Sequence, residues 1–281
     1  MLFRLLLLVS LLCPYLVKAQ EGLFYEVTGK GLAKPSYLFG TLHMVCTEKY
    51  QLPIPVKAAA EKADVIYTEI ELRNIQAQAG AVVKYMLAPT DSTVDKVLNK
   101  DDYARVGAWI KDSLGLGIEQ AKRFKPFAVV TIGMQSMAPC SPVSAVEQLL
   151  LYAYPKKENL GLETIDFQMN LLMNQPIASQ AKYLVDSEKQ WVKYKATLKQ
   201  LMDAYTKADV VQIQKLLAEN EDSDMMNPEA FITSRNNNWL AKMPEIMQKK
   251  SCVFAVGAAH LWGEKGLVTQ LRKMGYSVKS L

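Results

Sequence analysis

Histidine is almost absent: the 281-residue chain has two, His43 and His260. They stand far apart, so a helix-borne His-x-x-x-His metal motif is excluded. Cysteine is scarce as well, four in all, and no Cys-x-x-Cys occurs. A zinc site built on thiolates therefore lacks its usual ligand spacing. No charge of one sign is in large excess. The formal net charge is +5, and it falls to +3 without residues 1–19, which carry Arg4 and Lys18 and no acid. So small and dispersed a surplus argues against a nucleic-acid partner. Beyond the first residues no apolar run reaches the roughly 18 residues of a membrane-spanning helix. Glycine and proline are at ordinary levels, which argues against long disorder. Half the residues are apolar, enough for one large domain or two modest ones at this length.

Residues 1–19 have the form of a secretory signal. Arg4 gives the positive start, residues 5–12 the short apolar core, and Val17-Lys18-Ala19 the small residues read at cleavage, with Gln20 as the mature start. A lipoprotein cut before Cys13 would place the large Leu12 where a small residue is wanted. The expectation is an exported protein, periplasmic or extracellular. Cys46, Cys140 and Cys252 then remain. Two can pair and leave one free, or all three can stay reduced.

What the chain does have is one short pattern used twice. Residues 36–43 read as a strand running into Gly-x-x-His, and residues 252–260 do the same. Each histidine ends one unit. The two units are expected to fold side by side as halves of one site, with Gly40 turning the backbone sharply and leaving space so that His43 faces a pocket. Ala258 and Ala259 leave room around His260.

Between the units the pattern is mainly helical. Apolar spacing predicts helices over 56–63, 77–87, 94–99, 103–114, 118–124, 127–137, 144–153, 165–173, 175–217, 228–247 and 267–274. Met134 and Met137 read as core residues rather than metal ligands. Residues 64–72 read as a buried strand. Alternation would put Val65, Tyr67, Glu69 and Glu71 on one face, so that two carboxylates emerge at its end. Residues 158–164 read as a further strand ending in Glu163, with Thr164 able to cap the next helix. Strand ends of this kind are where α/β folds bind ligands, although each carboxylate also has a plain solvated or capping reading. The run Arg235-Asn236-Asn237-Asn238 suits a helix poorly, so something other than propensity should hold it there.

Two imidazoles with one or two carboxylates suit Zn, Mn, Fe or Co. Such a metal would activate water and polarise a carbonyl, with Glu69, Glu71 or Glu163 as ligand or general base. The competing readings are a metal-free binding module and a pair of satisfied core histidines.

The chain resembles the TraB/GumN family, related to the Tiki metalloproteases. The resemblance rests on residues 37–43, 63–71, Lys125-Pro126, 146–149, 161–164 with Gln168, Arg235-Asn236 with Trp239, and 256–260 with 263–267. These pieces run in order through nearly the whole mature chain. Glu147 departs from the aspartate expected there. The resemblance implies an α/β domain over 20–281, with a central mixed sheet from the terminal strand units and a helical insertion at about 74–250. It implies metal ligands among His43, His260, Glu69 and Glu71, and a divalent metal, Mn or Co. Glu69, Glu163, Arg235 and Asn236 would be the catalytic groups, with Arg235 and Asn236 stabilising negative charge on the substrate carbonyl. The expected function is an exported metal-dependent hydrolase acting on a peptide or small molecule, with a peptidase as one form of it. The alternative is a non-catalytic module binding metal, haem or another ligand on the same scaffold.

Overall fold

Four parallel strands lie side by side at the centre of the molecule. In a computed structural model, residues 21–75, 77–219 and 229–281 are described; the leader expected at residues 1–19 lies outside them. The strands are β1 (Phe24–Thr28), β2 (Ser36–Thr41), β3 (Val45–Cys46), β4 (Val65–Thr68), β5 (Val143–Ser144), β6 (Glu158–Gly161), β7 (Cys252–Gly257) and β8 (Ser277–Ser280). Six of them form one sheet in the order β6-β4-β7-β2-β1-β8. The pairs β2·β7, β4·β7 and β4·β6 are parallel, while β1 pairs antiparallel with β2 and with β8. The two ends of the chain therefore meet at the sheet, with Gly40 opposite Val256 and Thr41 opposite Gly257. This is the mixed α/β sheet with a helical insertion that the sequence implies. One strand of that insertion, β6, returns to the sheet edge beside β4.

Parallel strands are covered on both faces, which is why β2 and β7 read as nearly continuous apolar runs. One face carries Phe24, Phe39, Ile66, Val253 and Ala255 against the helix Ile54–Lys62, Val146, Leu150 and Tyr205. The other carries Tyr25, Leu38, Val65, Phe254 and Val256 against Trp239, Met243, Leu261 and Leu271. A third core, built on Val106, Ile110, Val130, Leu184 and Trp191, belongs to the helical insertion. Its longest helix, Ile177–Thr206, reaches back to the sheet, where the Tyr205 hydroxyl donates to the Gly40 carbonyl at 2.7 Å. Among the described residues no helix is long and apolar enough to cross a membrane.

Several expectations change in detail. The stretch expected as one helix over 228–247 is three pieces: a π-turn Glu229–Thr233, then helices Ser234–Leu240 and Met243–Lys249; residue 228 lies outside the described residues. Met134 sits in the 3-10 turn Met134–Met137 and is 45% exposed, so only Met137 of the two methionines is core. Cys46 and Cys140 form a disulfide and Cys252 is buried and free. Gly40 makes no sharp turn. It lies inside β2 and its role is close approach: a Cβ there would meet Leu261 Cδ1 at 2.5 Å and Ala258 Cα at 3.3 Å.

Gly40→Ala should therefore overpack the β2–β7 end and cost about 1–3 kcal/mol. Urea unfolding would measure it, and an unchanged midpoint would remove the packing role assigned to this glycine.

Candidate functional site

The parallel strands β2, β4, β6 and β7 end on the same side, and each delivers one polar residue there. His43 follows β2, Glu69 follows β4, Glu163 follows β6 and His260 follows β7. The ladder continues briefly past the strands, since the Glu163 amide donates to the Glu69 carbonyl at 2.9 Å. Carboxyl ends of parallel strands are the usual ligand-binding edge of such sheets.

Gly257 marks where the pieces converge. A Cβ placed on it would lie 3.2 Å from Glu69 Oε1, 3.6 Å from His260 Cδ2 and 3.8 Å from His43 Nε2. Both imidazoles and one carboxylate thus approach a single point, from segments more than two hundred residues apart.

The two histidines differ in their surroundings. His43 is exposed, with 66% of its side chain accessible. Its Nδ1–H donates to Glu147 Oε1 at 2.5 Å, which turns Nε2 toward the open side. His43 lines a cleft of about 240 Å³ with Glu69, Glu147, Gln148, Gln168, Ile70 and Leu72. His260 is 3% exposed. Its Nδ1–H donates to Asn236 Oδ1 at 2.7 Å, so Nε2 holds the lone pair and accepts from Arg235 Nη1 at 3.2 Å. The Trp239 ring lies against it, with centroids 4.4 Å apart. The room expected around His260 is therefore filled, and the ring stands behind the cleft rather than on its wall.

Arg235 is the centre of this buried layer. Nε donates to both oxygens of Glu163 at 3.1 Å, and Nη2 donates to Glu69 Oε2 at 2.5 Å and Glu163 Oε1 at 2.7 Å. Nη1 donates to the Phe231 carbonyl and to His260. All five N–H groups are thereby engaged. The oxyanion role expected of Arg235 has no free donor to support it. Asn236 is in the same position: its Nδ2 donates to the carbonyls of His260 and Lys265, and it is fully buried. Both residues position other groups. Glu163 accepts from Arg235, from Trp239 Nε1 at 3.0 Å and from Gln168 at 3.1 Å, which makes it a counter-ion rather than a free base. Glu71 is not brought to the site. The alternation ends at Thr68, whose hydroxyl donates to the Ile70 carbonyl, and Asn159 then captures the Leu72 and Arg73 amides. The Glu71 carboxylate accepts from Asn74.

Two cleft residues were absent from the expected set. Glu147 is 4% exposed and orients His43, while its Oε2 is buried without a protein partner among the described residues. Gln168 bridges Glu69 and Glu163. Both lie in segments that carry the family resemblance, but nothing local marks them as site residues.

The titrations follow the surroundings. The neighbouring Glu147 charge raises His43, against desolvation, to about 9. Burial lowers His260 to about 3, with the Arg235 charge adding to it and Glu69 opposing. Burial alone would raise Glu69, but Arg235, both imidazoles and the Gly257 amide outweigh it and hold the carboxyl at about 2.

The residues fit a divalent cation in part. His43 Nε2 is an open donor, Glu69 Oε1 accepts from the Gly257 amide at 2.9 Å and keeps a second lone pair, and a carboxylate behind Nδ1 is what metal-bound imidazoles usually have. The single lone pair of His260 Nε2 already accepts from Arg235. Among the described residues no group of three His, Cys, Asp or Glu side chains is arranged to hold a metal ion.

The metal-free protein should be most stable near pH 6.5. Below that value the unfolded chain protonates His260 while the folded one resists down to about 3. Glu69, held low in the fold, loses its contribution as pH falls from about 4.5 toward 2. Above 6.5 the protonated His43–Glu147 pair is lost as pH rises through the raised value, on a shallower arm because the ring is exposed. Thermal melting from pH 4 to 10 would check this; a protein that gains stability on acidification from 6 to 4 would contradict it.

No curated protein and no solved structure matches the chain. A family model does, over residues 23–280, nearly the whole chain, with every site residue inside it. The chain belongs to the TraB/PrgY/gumN family.

Proposed function

We propose that this protein is an exported hydrolase that cleaves a carbonyl compound, a peptide bond being the first candidate. In this reading the His43–Glu147 pair handles the proton of the attacking water. The observation that carries it is the 2.5 Å bond from His43 Nδ1 to a buried carboxylate, with Nε2 facing the cleft beside Glu69. A histidine fixed at one nitrogen and open at the other can take a proton from water and return it to a leaving group. Glu147 holds the tautomer and stabilises the imidazolium. Glu69 stays ionised at neutral pH and adds negative potential beside that imidazolium. Gln148 and Gln168 supply amide groups on the wall, and Ile70 and Leu72 supply apolar contact. The cleft lies below the roughly 300–1,000 Å³ of sites that enclose drug-sized ligands. That size favours holding one small group of a longer substrate over enclosing a haem. A disulfide between Cys46 and Cys140 supports export to an oxidising compartment.

A second reading adds a divalent cation, with Mn and Co ahead of Zn and Fe. It is favoured by three carboxylates gathered at the site, Glu69 and Glu163 sharing the Arg235 guanidinium and Glu147 paired with His43. His43 and Glu69 would hold the ion, and His260 would join them on giving up its contact with Arg235. When bound, the ion would polarise the carbonyl and acidify water.

The test is turnover of a peptide library and of nitrophenyl esters by the mature protein, with chelator and with added Mn or Co. His43→Gln and Glu147→Gln should each lower kcat by roughly 10²–10⁴ while leaving the fold intact. Wild-type kcat/KM should rise above neutral pH, because His43 must be neutral to act and its proton is held tightly. Activity that survives chelation supports the metal-free reading, and activity restored only by Mn or Co supports the second. No turnover under any condition would leave a binding module.

Gly257→Ala puts a methyl group between Glu69 Oε1 and His43 Nε2 at a position of ordinary backbone conformation. It should melt within a few degrees of wild type yet lose most turnover. Full activity would mean that substrate does not use that point.

A further inference from the structure

We propose that the Cys46–Cys140 cross-link is a positioning element of the site, setting the contact between His43 and Glu147, and that reducing it releases His43. Cys46 lies three residues past His43 and Cys140 seven before Glu147, so the bond joins the two segments that carry the pair. It closes a separation of 94 residues that takes in the first part of the helical insertion. The proposal rests on reading His43 and Glu147 as a working pair, but its readout is the bond between them, so the two ideas fail separately.

The other connections between these segments are slight. β3 and β5 are two residues each, with Val45 opposite Ser144 and Cys46 opposite Val143. Thr47 donates through its amide and its hydroxyl to the Pro142 carbonyl, both at 3.2 Å. The Val146 amide donates to the Leu42 carbonyl at 3.0 Å. A two-stranded ladder of this size is marginal by itself in water. The helix Val146–Ala153, by contrast, is anchored in the core through Val146 and Leu150, both fully buried. The histidine segment is anchored on either side of His43 by the buried Thr41 and Val45, and residues 42–44 between them are the exposed part that the cross-link ties to the carboxylate's segment. His43 is mostly exposed, and among the described residues Glu147 is its one hydrogen-bond partner. Without the covalent tie, the loop's freedom competes directly with that single bond.

The chemistry is thiol–disulfide exchange with a dithiol. Cys46 is 8% exposed, whereas Cys140 is half-buried, so the outer sulfur is the one attacked. A reductant thiolate attacks Cys140 Sγ and the S–S bond breaks with Cys46 leaving as thiolate. The second reductant thiol then displaces Cys140. The cystine gains two electrons and two protons, and the dithiol leaves as its own disulfide.

Two histidines make the readout simple. In protein labelled with nitrogen-15 histidine, the oxidised form should show two downfield ring N–H signals. One is His43 bonded to Glu147 and the other is His260 bonded to Asn236; His43→Gln assigns them. Dithiothreitol is added, and mass spectrometry after alkylation of the unfolded protein confirms two new thiols beside Cys252. The His43 signal should then broaden away by exchange with water while the His260 signal persists. Re-oxidation should restore it. A His43 signal unchanged in fully reduced protein overturns the proposal. Loss of both signals overturns it as well, because the cross-link would then be holding the fold at large.

Discussion

One guanidinium organises the buried side of this site. Arg235 is 7% exposed and is surrounded by Glu69, Glu163, His260 and the Phe231 carbonyl, with each N–H engaged. Burying three charges together is costly, and it is tolerated when hydrogen bonds meet nearly every demand. Arg235 meets that condition and in doing so connects residues from the ends of three strands. Trp239 completes the layer. Its indole lies under the guanidinium at 4.9 Å, its N–H holds Glu163, and its ring covers His260. The π-turn Glu229–Thr233 and the awkward asparagine run follow from this demand. The short helix Ser234–Leu240 presents Arg235, Asn236 and Trp239 inward together, while Asn237 and Asn238 face solvent.

That arrangement separates the two histidines chemically. His260 is kept neutral by burial and by an arginine on its lone pair, and His43 is drawn toward the charged form by the Glu147 carboxylate. A repeated sequence motif has produced one structural imidazole and one that meets solvent. The asymmetry comes from partners contributed by distant helices rather than from the motif.

Sequence reasoning succeeded where the signal was local and failed where it was relational. The two strand-Gly-x-x-His units, the strand before Glu69, the strand before Glu163 and the Thr164 cap are all readable from alternation, small residues and capping chemistry, and the structure contains them. Glu71 was misplaced because alternation assumes that a strand continues, and Asn159, a residue 91 positions beyond Thr68, is what bends the chain away. Glu147 was noted only as a departure from an expected aspartate and given no role, because its meaning lies in a histidine 104 positions earlier. Arg235 and Asn236 were read as donors to a substrate carbonyl, and their N–H groups are already engaged within the protein. Whether a donor is free to meet a substrate depends on how many of its hydrogens are already engaged, and a sequence does not carry that count.

The glycines show why the two motifs come as a pair. Gly40 and Gly257 are both in right-handed-compatible, negative-φ backbone, so neither is required for a turn. A side chain on Gly40 would strike Leu261 and Ala258, which belong to the second motif or follow it directly. A side chain on Gly257 would crowd Glu69 Oε1 at 3.2 Å and come into ordinary contact with His43 Nε2, in the first motif, at 3.8 Å. Gly40 makes room for the second unit, and Gly257 makes room for Glu69 beside the first. The parallel pairing of Thr41 with Gly257 sets the register at which this works. A one-residue slip would reverse the faces of β2 and bury the wrong residues. The repeated Gly-x-x-His is therefore a close fit between neighbouring strands first, at Gly40 against the second unit and at Gly257 against Glu69, and the convergence of two imidazoles and Glu69 on one point goes with it.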